Sequence, residues 1–214
     1  MEQKILIVDD SLTIRKALEQ RLRQNGYTTE TAKNGNEALD KIKVVKDIDI
    51  IMMDLDMPEM GGIEATKIIK SDPLLFIPIL ILTSHDKATE VVEGLDAGAD
   101  DYISKKAESV EMLARVRAAL RMKYFHDELE KANLQIKQTE KILTAIQTAT
   151  NFGDKVSRHL TIIQQANPSE NIIKQVNLIR NFIDEMLEEV TEKYSNYTED
   201  MDNFISTDSE FDEF

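Results

Sequence analysis

The stretch IIMMDLDMPEMGG, residues 50–62, sets four apolar residues directly against an aspartate, with a second acid two positions on and a glycine pair at its end. Neighbouring residues of a strand point to opposite faces, so four apolar residues in a row suit a strand buried on both sides. Asp54 then stands where the strand leaves the core, and Gly61-Gly62 marks a turn into the next element. Two other runs have this form. ILIV at residues 5–8 runs into Asp9-Asp10, and ILIL at 79–82 runs into Thr83-Ser84.

Working outward, strands are predicted at Lys4 to Val8, Thr28 to Ala32, Asp49 to Met53, Ile77 to Leu82 and Asp101 to Ser104. Between them Ile14, Ala17, Leu18 and Leu22 keep helical spacing, as do Ala38, Leu39, Ile42 and Val45. Ala65, Ile68 and Ile69 continue the pattern, followed by Ala88, Val91, Val92 and Leu95; a fifth helix starts near Ala107. Strand and helix in alternation predict an α/β domain over residues 1–121, a parallel sheet covered by helices. In such a sheet ligands bind beyond the carboxyl ends of the strands, which is where Asp9, Asp10, Asp54, Thr83 and Lys105 fall.

Three carboxylates on one edge repel one another, by about 4 kcal/mol per pair at 4 Å and an effective dielectric of about 20. A divalent cation would compensate them, and an oxygen-only set suits magnesium better than zinc. Lys105, just after the fifth strand, is the other available counterion. Read one at a time, Asp9, Asp10 and Ser11 also fit as helix N-caps.

These residues resemble the receiver domain of two-component response regulators. The acidic pair after the first strand, the 50–62 stretch, the run ending in Thr83-Ser84 and DYISK ending at Lys105 occur in the family's order and spacing, from Lys4 to about Arg121. The resemblance implies a five-stranded flavodoxin-like fold with strand order 2-1-3-4-5, an order given for the family rather than read from the residues. It implies Asp54 as phosphoacceptor, taking phosphate from a sensor histidine kinase, a phosphotransfer protein or a small phosphodonor. It implies magnesium held by Asp10, Asp54 and the backbone carbonyl of Asp56, with Asp9 acting through water. Lys105 and Thr83 would contact the phosphoryl group, and Thr83 and Tyr102 would form the switch. Tyr102 also reads as an exposed edge aromatic, Ser84 as a small packing residue, and Asp56 and His85 as flanking or plain surface residues. Met57, Pro58 and Met60 read as loop packing. The family's usual proline after the lysine is replaced by Lys106, so the bond there is either trans or a strained cis peptide.

Beyond residue 121 the pattern changes. Met122, Phe125, Leu129, Ala132, Ile136, Thr139, Leu143 and Ile146 keep the a and d positions of a heptad, predicting a coiled-coil helix over 122–150 continuous with the fifth receiver helix. Packing of this stretch against the later helices is the competing reading. A helical hairpin is expected over 151–194, its second helix opening at Asn167-Pro168-Ser169-Glu170. Residues 195–214 hold seven acids and no base, which predicts a disordered acidic tail. His159 invites comparison with a phosphotransfer histidine, although its place between Val156 and Ile163 favours a position beside the core. Glu130 and Asn133 match an acid-x-x-amide pattern of some receiver phosphatases.

Composition sets the outer limits. The 214 residues carry a net charge of -14, with no cysteine and no tryptophan. Thiol nucleophiles, sulfur-ligated zinc and disulfides are thereby excluded. Residues 122–214 contribute 9 basic and 18 acidic residues, a poor match for a phosphate backbone. No apolar run approaches the roughly 20 residues of a membrane helix, and MEQKILIVDD lacks a signal-peptide layout. The sequence therefore predicts a cytoplasmic, non-enzymatic response regulator that signals through an unidentified downstream protein or as a homodimer through the coiled coil, without nucleic acid or membrane insertion. The alternative is a phosphorelay enzyme, with His159 as phosphotransferase residue or the bundle as receiver phosphatase.

Overall fold

A computed structural model describes residues 3–45, 47–83, 88–166 and 168–207, and the chain divides into two compact units, Met1–Lys131 and Ala132–Phe214. The first alternates β1 (Lys4–Val8), α1 (Leu12–Gln24), β2 (Thr28–Ala32), α2 (Gly35–Val44), β3 (Ile50–Asp54), α3 (Gly62–Lys70), β4 (Ile79–Thr83), α4 (Ala88–Asp96) and β5 (Asp101–Ser104). Two long helices follow, α5 (Ser109–Gln165) and α6 (Glu170–Thr207). The five strands pair in parallel in the order β2-β1-β3-β4-β5.

The apolar runs behave as pleated strands must. Leu6, Val8, Ile51, Met53, Ile79 and Ile81 enter one core with Ala38 of α2 and Ala65 and Ile69 of α3. Their neighbours Ile5, Ile7, Ile50, Met52, Leu80 and Leu82 enter the other, with Leu18 and Leu22 of α1 and Met112, Val116 and Leu120 of α5. Every second residue serves the opposite face, and each such side chain buried stabilises the sheet by about 1.5–3 kcal/mol.

Two strands differ from the sequence reading at both ends, β3 (Ile50–Asp54 against Asp49 to Met53) and β4 (Ile79–Thr83 against Ile77 to Leu82). β4 starts at Ile79 rather than Ile77 because Pro78 has no N–H for the ladder; its carbonyl instead accepts from Ile51 N at 2.9 Å. β3 extends to include Asp54, paired with Leu82, so the carboxylate projects from a fixed strand position and not from a loop. The chain then turns tightly enough for Gly62 N to donate to the Leu55 carbonyl at 2.9 Å. A Cβ on Gly62 would lie 1.9 Å from the Asp54 carbonyl oxygen, so only glycine allows α3 to start there.

In the second unit, Leu160 of α5 packs with Val176 and Ile183 of α6, flanked by Val156 and Leu187. The expected division at residue 150 is corrected: α5 runs unbroken through Gly153. A glycine inside a helix costs about 1 kcal/mol, but here a Cβ would meet Leu187 Cδ1 at 2.9 Å and Ile183 Cγ2 at 3.3 Å. Close approach of α6 offsets the propensity cost. α6 begins at Glu170, with the Ser169 carbonyl accepting from Ile173 N at 3.1 Å, so proline lies before the helix and not at its first position. It runs on to Thr207, correcting the reading of a disordered tail from residue 195; residues 208–214 lie outside the described residues. On α5 the heptad residues Phe125, Leu129, Ile136 and Leu143 are exposed.

Gly62→Ala is expected to destabilise the protein by about 2 kcal/mol or more, the upper range for overpacking against backbone, measured as a lower urea midpoint. An unchanged midpoint would show that the Asp54–Gly62 approach is not a constraint.

Candidate functional site

The carboxyl ends of β1 and β3 hold Asp9 and Asp54, and the loop after β5 brings Lys105 across to both. Lys105 Nζ lies 2.7 Å from Asp54 Oδ2 and 2.8 Å from Asp9 Oδ2. All three are shielded: Asp9 is 0% exposed, Asp54 4%, and the Lys105 side chain 11%. Each is also fixed through its neighbours. Asp9 Oδ1 accepts from Ser11 N at 2.9 Å, and Asp54 Oδ1 accepts from Leu55 N at 2.9 Å. Lys105 N donates to the Thr83 carbonyl at 2.8 Å, continuing the β4–β5 ladder one residue past β5.

The turn after Lys105 answers the question raised by Lys106. No cis peptide bond occurs among the described residues, so the Lys105–Lys106 bond is trans. Lys106 N donates to Ser104 Oγ at 3.2 Å, and Ala107 N donates to the Ser104 carbonyl at 2.9 Å. This serine-based turn holds Lys105 in place without proline, and Lys106 itself faces solvent.

One oxygen from each of Asp9, Asp10 and Asp54 falls within 4.8 Å of the others. Asp9 and Asp54 are buried and Asp10 is exposed, so the cluster opens outward at Asp10. Asp9 Oδ2 is close to the Lys105 ammonium yet has no aligned hydrogen bond, leaving acceptor capacity pointed into the cluster. Oxygen-only donors with an exposed side for retained waters fit a hard divalent cation.

Burial pushes the Asp54 carboxyl above its ordinary value of 3.8, and hydrogen bonding and charge from Lys105 offset only part of this. Burial would lower Lys105, but its ion pairs with the Asp54 and Asp9 carboxylates outweigh that and raise it. The pocket therefore holds a firmly charged ammonium beside a carboxylate that pays for its ionisation.

The remaining predicted residues are placed as follows. Thr83 is buried at the end of β4, 3% exposed. Asp56 is exposed in the loop after β3, and Met57 and Met60 pack against the α2–α3 core. The N-cap reading holds for Ser11, whose hydroxyl accepts from Ile14 N, but not for buried Asp9. Ser84 and His85 lie outside the described residues. Tyr102 is 37% exposed, its ring 5.3 Å from the Arg115 guanidinium. Arg115 also makes paired contacts of 2.9 and 2.8 Å to the Asp101 carboxylate. Sequence reading did not single out Arg115, nor Arg15, which donates to the Asp9 carbonyl. The only signal was a basic residue on the helix facing each strand end. His159 is exposed, correcting its expected place beside the core, with Nδ1 2.7 Å from the Lys155 carbonyl oxygen. Glu130 and Asn133 are both exposed on α5.

The model of the response regulator receiver domain matches residues 5–117, more than half of the chain. The chain belongs to the response regulator receiver family. Response regulator MprA of Mycolicibacterium vanbaalenii is 45% identical over 123 residues, 56% of this chain and 52% of that protein. Among solved structures, a putative response regulator from Chloroflexus aurantiacus is 34% identical with a TM-score of 0.54, covering 56% of this chain and 99% of its own. The chemotaxis protein CheY4 of Vibrio cholerae is 33% identical with a TM-score of 0.52, at the same two coverages. The chain thus spans about half the length of the curated relatives it matches. No helix among the described residues is long and apolar enough to cross a membrane.

A carboxyl raised in the folded state favours folding below its ordinary pKa, and that contribution is lost as pH rises through the raised value. Without divalent cations, the wild-type protein should therefore lose stability relative to Asp54→Asn as pH rises above about 4. Parallel stability profiles for the two proteins would show that Asp54 ionises at no cost.

Proposed function

We propose that this protein is a two-component response regulator that accepts a phosphoryl group on Asp54 and signals through its helical C-terminal region. What supports the reading is the convergence of Asp54, Asp9 and Lys105 within 2.8 Å contacts at the carboxyl edge of the sheet, in a chain of the receiver family.

In this reading a carboxylate oxygen of Asp54 attacks the phosphorus of a phosphohistidine on a sensor kinase or phosphotransfer protein. The P–N bond breaks, its electron pair returns to the imidazole, and Asp54 becomes an acyl phosphate. Hydrolysis of that anhydride by water resets the switch. Asp10, Asp54 and the backbone carbonyl of Asp56 would hold a magnesium ion, with Asp9 acting through water, and its positive charge would offset the negative charge of the incoming phosphoryl group. Lys105 already faces Asp54, so its ammonium transfers to a phosphoryl oxygen with little movement. Thr83, at the end of the adjacent strand, donates its hydroxyl to another.

Withdrawal of Thr83 toward the phosphoryl group then makes room for Tyr102 to turn inward. The ring gives up its contact with Arg115, worth about 0.5–1 kcal/mol at an exposed site, which is small enough for new hydrogen bonds to overcome. The switch is a two-state equilibrium biased by local charge. Its readout is protein contact, to a downstream partner or a second copy, and not DNA, since the C-terminal region is net negative. The reading includes no output enzyme activity and a cytoplasmic setting. A second reading gains from the exposure of His159, whose ring can be reached by a phosphodonor; on that reading His159→Ala would abolish phosphate transfer.

Acetyl phosphate with magnesium should label the full chain in an alkali- and hydroxylamine-labile way, and Asp54→Asn should remove the label while His159→Ala leaves it unchanged. Label persisting at equal stoichiometry in Asp54→Asn would overturn the assignment of the acceptor.

A further inference from the structure

The segment between β3 and α3 holds a backbone conformation that the pocket contacts do not explain. Glu59 has a φ of +69°, in the left-handed region that residues with a side chain seldom enter. Met60 N donates to the Pro58 carbonyl at 2.9 Å, so the chain reverses over three residues with Glu59 at the centre. A positive φ under such a bond is the rare and strained hand of this turn. The Glu59 side chain is exposed, so the conformation is imposed from either side of it.

Upstream, the ring of Pro58 fixes its own φ. Downstream, Met60 is gripped by the start of α2. Gly35 is the first residue of α2, where an N–H has no partner within the helix. That N–H donates to the Met60 carbonyl at 3.0 Å. A Cβ on Gly35 would meet Met60 Cγ at 2.6 Å, Met60 Sδ at 2.8 Å and Ala65 Cβ at 2.9 Å, so only glycine admits both the hydrogen bond and the side chain. Gly35 is itself braced. Buried Asn34 accepts from Glu37 N at 2.9 Å, and Glu37 Oε2 accepts from Lys33 N at 3.0 Å. Just before them, the Ala32 carbonyl accepts from Asp9 N at 3.2 Å. Residues 32–35 therefore tie the segment carrying Asp9 and the loop carrying Asp56 to one support.

We propose that Gly35 is a positioning residue for the divalent-cation site, holding the 55–61 loop in its strained turn so that a cation meets a loop already in shape. This rests on the reading of Asp10, Asp54 and the Asp56 carbonyl as magnesium ligands, and it names the support that one of them needs. A strained conformation persists only where its surroundings over-determine it. Without the grip of Gly35 the loop relaxes, the ion has to order it, and binding weakens by the cost of that ordering. Partners that hold metal ligands in place typically account for about 10–100-fold in affinity.

Calorimetric titration of magnesium into the full chain tests this. Gly35→Ala should weaken binding by about 10–100-fold. Adding Met60→Ala removes Cγ and Sδ from the collision and keeps the N–H of residue 35, so this double variant should recover most of the loss. Gly35→Pro with Met60→Ala should not recover, because proline suits the first helical position but has no N–H to give. Val116→Ala, in the core on the other face of the sheet, should lower the urea midpoint and leave the affinity unchanged, which separates positioning from stability. Hydrogen exchange on the wild type needs no variant to fold: the Gly35 amide should be protected in the absence of magnesium. Unchanged affinity in Gly35→Ala, equal affinities in the two double variants, or a Gly35 amide protected only with magnesium would each overturn the proposal. No magnesium binding by wild type, or binding that Asp10→Asn leaves intact, would bring down the cation-site reading and this proposal with it, an outcome distinct from the other three.

Discussion

The ammonium of Lys105 lies between two buried carboxylates, and the functional end of the receiver is arranged around that contact. Asp9 and Asp54 come from adjacent strands, so the parallel pairing of β1 with β3 brings like charges together whatever else the fold does. A buried pair left uncompensated is strongly destabilising. Lys105 supplies the compensation from a third element, and its backbone bond to Thr83 ties the counterion to the strand that carries the buried hydroxyl. The same three groups therefore hold the pocket together and, on the proposed reading, are those that would meet a phosphoryl group.

The compensation is incomplete by construction. Asp54 remains costly to ionise, Asp9 keeps an unaligned oxygen, and Asp10 leaves one side open. A pocket fully satisfied by protein would gain little from a ligand. This one is relieved by added positive charge, which links its instability to its use. The surrounding scaffold is correspondingly rigid: Asp54 is the last residue of a central strand, and Gly62 lets α3 begin against its carbonyl.

Much of the receiver was legible in the sequence because unbroken apolar runs ending in acids satisfy few other architectures. The pocket residues could be gathered because strand ends in a parallel sheet share one edge. What was not legible depended on contacts distant in sequence. Arg115 anchors Asp101 and faces Tyr102, yet nothing local distinguishes it from other helical arginines. Pro78 shortened β4 at its start, a local rule that the apolar pattern had overridden. In the C-terminal region the sequence reading divided the helices at residue 150, just before Gly153, and took the acidic composition from residue 195 as disorder. Packing against Leu187 and Ile183 explains the glycine. His159 was misplaced because helical spacing shows which residues share a side, but not whether that side is covered.

If Lys105 is the resident counterion of the carboxylate pair, it competes with any other cation for Asp9 and Asp54. Calorimetric titration of magnesium into wild type and Lys105→Met at neutral pH tests this most directly. The account predicts that the variant binds magnesium more tightly, because the carboxylates have lost their internal partner. Equal or weaker binding in the variant would contradict it, showing that Lys105 does not carry the charge balance of the site.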